Sequence, residues 1–99
     1  MSELTEFIDA RVAEDEQRAR NDGADAMTGA WWKHYPEGAY YELQTRTLAA
    51  SSRTLAECGT KRHLLDEALV WGEGCLDVMA RYMAEVYAEH ADFREEWRP

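Results

Sequence analysis

Apolar side chains recur every three or four residues near the start of the chain, which is the period of an α-helix. Ser2 stands where a residue that caps the first turn is expected, and Gly23 follows the last apolar position as a stop signal. The pattern therefore predicts a first helix over residues 3–21. Its apolar stripe consists of Leu4, Phe7, Ile8, Val12 and Ala19.

The rest of the chain is also typical of helices. Residues 39–50 and 53–71 are predicted to be helical, either as two helices with Ser51 or Ser52 capping the second, or as one helix with a bend. A break is expected at 72–74, Gly-Glu-Gly, before a last helix over 75–90. That helix carries a seam of Leu76, Met79, Met83 and Val86.

Strand signals are weak throughout, because β-branched residues are sparse and no segment alternates with a period of two. Ninety-nine residues are enough for one modest core. We therefore expect a single all-α domain over 1–99, a small bundle of three to four helices.

An aromatic-rich connection follows the first helix. Residues 22–38 contain three glycines and a proline, which predict an irregular loop. The rings either close the open end of the bundle or form an exposed patch for a partner, and both can hold together. The candidate partner-binding residues are Trp31, Trp32, Tyr35, Tyr40 and Tyr41.

Charge is distributed unevenly along the chain. The formal net charge is −9, and acids exceed bases at both ends, around a mildly basic middle. Nucleic acids and anionic membranes attract clustered Lys and Arg, so we expect neither as a direct partner. An acidic face could attract a basic protein or imitate the phosphates of a nucleic acid.

The compartment is predicted from what the sequence lacks. The first ten residues have neither the basic start nor the apolar run of a signal peptide, and no stretch is apolar enough to span a membrane. Cys58 and Cys75 are then expected to be reduced thiols in the core. We predict a cytoplasmic protein.

Patterns typical of catalytic and metal sites are missing. The three histidines lack the Glu-x-x-His spacing of di-iron bundles, and no Cys-x-x-Cys or glycine-rich phosphate loop occurs. Cys58 and His63, five residues apart, would point to different sides of a helix. We expect no catalytic residue, no metal, no cofactor and no enzymatic activity.

Two long motifs resemble a family of small uncharacterised proteins from actinobacteria and their phages. They are 4–16, LTEFIDARVAEDE, and 87–99, YAEHADFREEWRP. The segments 53–65 and 29–31 are similar to the family's middle helix and its Gly-Pro-Trp. Relatives usually carry His-Ile-x-Arg-His-Asp-Pro where 45–51 reads TRTLAAS, so any site built on those histidines is missing. The resemblance implies a shared fold and an actinobacterial or phage origin, but no known activity.

The resemblance also implies that the C-terminus is part of the domain. Phe93 and Trp97 are four residues apart, so one helical turn would place both rings on one face. Arg94 and Arg98 would line another face, within reach of nearby acids. We expect the aromatic pair to dock on the first and last long helices.

The sequence thus predicts a protein that acts by binding. We expect a phage or prophage accessory protein that targets a host protein. Self-association as a homodimer is a further possibility. One alternative is an acidic mimic of nucleic acid, which requires the acids of the first and last helices to converge. Another is a small enzyme or ligand-binding protein that uses the region Trp31–Tyr41, with His34 and Glu37, and requires a pocket.

Overall fold

Three helices and a short C-terminal turn make up the protein in a computed structural model, which describes residues 2–28 and 37–99, with the backbone alone at 28, 37, 38 and 40. Helix α1 spans Glu3–Thr28, α2 spans Glu37–Trp71 and α3 spans Glu73–Glu85. A 3-10 helix, Glu95–Trp97, follows a series of turns. The described residues contain no strand, which confirms the all-α bundle.

Helix α2 sets the length of the molecule. Its 35 residues extend about 52 Å at the rise of an α-helix, which matches the 53 Å long axis. The shorter α3 turns back along α2 after Gly72, so that Lys61 of α2 reaches Tyr87 just beyond α3. One half of the bundle therefore has three helices and the other has only α1 and α2.

Helix α1 begins as predicted but continues through the expected stop. The Ser2 hydroxyl accepts a hydrogen bond from the Thr5 backbone N–H at 3.2 Å, which caps the first turn. Gly23 lies inside the helix, so the predicted end at residue 21 is wrong. The reason is tertiary, because the small residues Ala19, Gly23 and Ala26 allow α1 to lie close to Ser51 of α2.

Helix α2 is continuous, which decides between the two interpretations of residues 39–71. Ser51 is buried inside it and is not a cap. A Cβ added at Gly59 would meet no atom of the described residues within 4 Å, so this glycine does not mark a close helix crossing.

The break after α2 is confined to Gly72. Its φ of 122° is a left-handed conformation that favours glycine, and α3 starts at the next residue. Helix α3 ends at Glu85, five residues before the predicted end. There the backbone tightens, since the Tyr87 N–H donates to the Ala84 carbonyl at 2.8 Å, and the chain turns back over α1.

The core occupies the three-helix half. Its buried residues are Leu4, Phe7, Ile8, Val12, Cys58, Ala80, Ala84 and Trp97. The predicted methionine seam is only partly correct, because Met83 packs against this core whereas Val86 is exposed. Cys58 is buried as expected, but Cys75 is exposed, because it lies on the outer side of α3.

Within residues 2–28 and 37–99, no helix is both long and apolar enough to cross a bilayer.

Candidate partner-binding surfaces

Most of the predicted aromatic patch lies outside the described residues. Trp31, Trp32 and Tyr35 belong to residues 29–36, as does His34. Tyr40 is in α2, where only its backbone is described, and Glu37 is the first residue of that helix. Tyr41 is on α2 with 56% of its surface exposed. The patch and the pocket proposed for it therefore stay predictions.

The C-terminal segment packs on α1. Trp97 is 8% exposed, and its ring centroid is 5.0 Å from that of Phe7. Phe93 is partly buried, 6.2 Å from Phe7 and edge-on to Trp97 at 5.9 Å. The two rings were expected on one turn of α-helix. In the structure Phe93 lies before the 3-10 helix that contains Trp97, and the rings still contact each other. Phe7 is thus the centre of an aromatic cluster that closes the core.

Two arginines cover this cluster from outside. The Arg94 guanidinium lies 5.3 Å from the Trp97 ring centroid and donates a hydrogen bond to Glu3. The Arg98 guanidinium lies 5.4 Å from the Phe93 ring and donates to Glu95, whose pKa it lowers by that hydrogen bond. The Arg94–Glu3 pair ties the segment to the start of α1, whereas the two stacking contacts and the Arg98–Glu95 pair lie within the segment.

A polar network joins α1 and α2 to the turn after α3, next to the core. The Tyr87 hydroxyl donates to the Asp15 carboxylate at 2.8 Å and accepts from Lys61 at 3.0 Å. Burial, followed by the Asp15 hydrogen bond, raises the pKa of Tyr87 far above its usual range. Arg62 pairs with Asp9 at 3.5 Å and with Glu16. These side chains pair with each other across the elements of the fold, so we interpret them as stabilising the fold.

Arg11 lies four residues before Asp15, a spacing that allows an ion pair on a helix, but its partners are other residues. Its guanidinium contacts the His90 ring and pairs with Glu14 at 3.0 Å and Asp92 at 3.8 Å. The His90 Nδ1 accepts the Asp92 backbone N–H at 3.0 Å. The turns after α3 bring His90 and Asp92 to Arg11, whereas Glu14 pairs with it along α1.

No described His, Cys, Asp or Glu residues form a group of three or more that could hold a metal ion. The Cys58 thiol is buried beneath α1, 3.8 Å from the Val12 carbonyl, and burial raises its pKa. A raised thiol pKa lowers the fraction of reactive thiolate.

Exposed large apolar residues concentrate on the α2–α3 pair. Leu64 and Trp71 are seven residues apart, so they share one face of α2. Val78, Tyr82 and Val86 are spaced by four and form a stripe on α3 and its C-terminal cap residue. We call these five residues the outer apolar surface.

Acids accompany the outer apolar surface. Glu57 and Glu67 lie one or two helical turns from Leu64 on the same side of α2, and Glu85 lies one turn from Tyr82. All three are exposed, and none forms an ion pair with another described residue.

A second candidate is an open groove of about 810 Å³ where the N-termini of α1 and α3 meet the C-terminus of α2. We call it the end groove. Its apolar floor is formed by Leu4, Leu65, Leu69, Leu76 and Ala80. Its polar rim is formed by Ser2, Thr5, Asp9, Arg62, Asp66, Glu73 and Asp77. The groove was not expected from the sequence, although leucines on both sides of Gly72 were a signal for it.

A smaller cavity of about 440 Å³ lies between the second half of α1 and the first half of α2. Its lining includes Asp15 and Asp22 as well as Arg18 and Arg46, so it has no single sign of charge.

The acids of α1 are mostly engaged within the protein. Asp9 and Glu16 pair with Arg62, Glu14 pairs with Arg11, and Glu3 pairs with Arg94. A mimic of nucleic acid needs unpaired charge on its surface, so these pairs do not favour that alternative.

Comparison with known proteins identifies a family. A family model described as a family of unknown function, DUF6221, matches residues 1–99. No curated protein and no solved structure matches the chain.

Proposed function

The chain belongs to the family of unknown function DUF6221, and from the surface that it presents we propose that it acts by binding another protein and not by catalysis. The observation that carries this proposal is the outer apolar surface. Trp71 is 78% exposed and Tyr82 is 60% exposed, whereas the residues that α2 and α3 bury in the core, Cys58, Ala80 and Ala84, are small.

The exposed area is large enough to matter for binding. At 150–250 Å² for a whole aromatic side chain, Trp71 and Tyr82 together expose about 300 Å². The three aliphatic residues add to it. Exposed rings of this size are typical of interaction sites, because Trp and Tyr are the residues that most often dominate binding energy.

Charge indicates the kind of partner. Glu57, Glu67 and Glu85, which form no ion pair with a described residue, would face Lys or Arg on a partner that has an apolar centre and a basic rim. A second copy of the chain would bring acids against acids in a symmetric dimer, so a different protein is the better match.

The motifs at 4–16 and 87–99 support the finer part of the proposal. On that resemblance we take the gene to be actinobacterial or from a phage of actinobacteria, and the partner to be a host protein in the cytoplasm. The aromatic residues Trp31, Trp32 and Tyr35, which precede the start of α2, stay candidates for a separate contact with the partner.

A photo-crosslinking experiment tests the proposal. A crosslinking amino acid at position 78, in the full chain expressed in an actinobacterial host, should give one dominant adduct, and the same group at position 27 should not. The adduct should disappear with Trp71→Ala/Tyr82→Ala and persist with Met27→Ala, since Met27 is an equally exposed residue elsewhere (62%).

The opposite pattern would refute the binding role of the outer apolar surface. Equal adducts from positions 27 and 78, or an adduct that survives the double substitution, would show only random collision. Because Trp71 and Tyr82 are exposed, the double variant should keep the melting temperature of the native chain, and this separates lost binding from unfolding.

A further inference from the structure

We propose that the end groove binds a cationic amphipathic helix of a protein partner. This inference rests on the proposed function in treating the chain as a protein-binding module, but it concerns a separate site. The end groove uses Leu76 and Ala80 on the inner side of α3, whereas Val78, Tyr82 and Val86 lie on its outer side.

The floor of the end groove is apolar and incompletely covered. Leu4 and Ala80 are buried in the core, but Leu69 keeps 56% of its surface exposed beside them. Leu65 and Leu76 complete the floor from α2 and α3. An apolar side chain placed here would remove Leu69 from water and would extend the existing core.

The rim is acidic, and half of its acids have no ion-pair partner. Asp9 is paired with Arg62 at 3.5 Å, and Asp77 is paired with Arg81 at 2.9 Å. Asp66 and Glu73 form no ion pair with any described residue. They stand on the two helices that flank Gly72, so a bound segment with Lys or Arg on its edges would find uncompensated carboxylates on both.

The shape favours a helix as the occupant. A volume of about 810 Å³ accommodates several apolar side chains at once, and the walls are themselves helices. An amphipathic helix presents apolar residues at i, i+3, i+4 and i+7, which is the arrangement that a groove between helices accepts. A peptide that binds by strand addition would need an exposed strand to pair with, and the described residues contain none.

The test uses a fluorescent peptide of about 15 residues, long enough to form a helix, with Leu on one face and Lys elsewhere. Its binding to the full chain is followed by fluorescence anisotropy at low salt. Two control peptides replace either every Lys by Glu or the Leu face by Ser. We expect the Leu/Lys peptide to bind and both control peptides to fail.

Variants locate the site. Asp66→Asn/Glu73→Gln should weaken binding of the Leu/Lys peptide roughly fivefold, the combined effect of two exposed charge pairs. The matched control Glu57→Gln/Glu85→Gln removes the same charge away from the groove and should change the affinity less than about twofold, allowing for weak long-range attraction. Leu69→Ser removes the exposed part of the floor and should weaken binding at any salt concentration.

Several outcomes would overturn the inference. No binding of the Leu/Lys peptide, or equal losses in the two charge variants, would show that the end groove is not a specific site. If Trp71→Ala/Tyr82→Ala abolished binding while the groove variants did not, the outer apolar surface would be the peptide site. That last result would support the proposed function while rejecting the end groove.

Discussion

Replacing Trp97 by Ala should strongly destabilise the protein, because this side chain links the C-terminal segment to the core. Only 8% of it is exposed, and it contacts both Phe7 and Phe93. Removing a buried Trp typically costs about 3–5 kcal/mol through lost burial and the cavity left behind. Ala80 and Ala84 line the same cluster on a helix and are too small to fill the space, so we expect a loss of about 4 kcal/mol.

The expected loss is large relative to the total stability. A domain of this size is typically stable by about 5–15 kcal/mol, so the variant could retain less than half of it. With an unfolding entropy of about 2.1 cal/mol/K per residue, 99 residues give roughly 0.2 kcal/mol/K. The melting temperature should then fall by about 20 °C.

The assay is urea unfolding followed by circular dichroism, with Trp71→Ala as the matched control. Both variants lose one Trp, but Trp71 is 78% exposed, so its removal should change stability by no more than about 0.5 kcal/mol. Deletion of residues 93–99 should cost at least as much as Trp97→Ala, because Phe93 is removed as well. If Trp97→Ala and Trp71→Ala unfold at the same urea concentration, the docking of the C-terminal segment is wrong.

Four further predictions test local features. Gly23→Ala should stabilise the protein by about 0.5–1 kcal/mol, since a Cβ there would meet Ser51 at an ordinary 3.7 Å, whereas Gly72→Ala should destabilise it by about 1–2 kcal/mol because of the positive φ. Tyr87→Phe should cost about 1.5–3 kcal/mol through the lost hydrogen bond to a carboxylate. An aromatic thiol reagent should modify Cys75 rapidly and Cys58 only on unfolding.

The role of Tyr87 has a pH signature. Its pKa is raised in the folded state, so its contribution is complete below the unfolded value near 10 and is lost as pH rises above it. Urea unfolding between about pH 8 and pH 11 should therefore show a steeper loss of stability in the native chain than in Tyr87→Phe. Parallel curves would contradict the buried neutral phenol.

Contrary results for the other substitutions would be equally informative. A destabilised Gly23→Ala would mean that α1 and α2 lie too close for a methyl group. If Gly72→Ala left the stability unchanged, the break between α2 and α3 would not need a left-handed backbone conformation. Equal labelling rates for the two cysteines would place Cys58 outside the core.

Much of the fold followed from local chemistry in the sequence. The stripe from Leu4 to Val12 predicted the buried face of α1, and Ser2 predicted its start, because both depend on residues within two helical turns. Gly72 predicted the break between α2 and α3, since few other residues adopt a positive φ. The all-α class followed from the lack of any alternating segment.

The candidate sites could not be found in the same way. Helix α3 has two apolar stripes, Ala80 with Met83 and Ala84 on one side and Val78 with Tyr82 on the other. Periodicity alone does not show which stripe is buried, because each stripe by itself gives α3 an apolar face with the helical period. Cys75 was expected in the core as a reduced thiol, but it is exposed in the structure, because residue type does not say which side of α3 faces the core.

The sequence by itself determined which segments are helical, where α1 starts and where α2 ends, because hydrogen bonding, capping and glycine conformation are local properties. Only the tertiary structure decided that α1 continues through Gly23, that Arg11 meets His90, and that leucines from three helices form the end groove. These features depend on how each helix is rotated about its axis against its neighbours. That rotation is set by the packing of all three helices together.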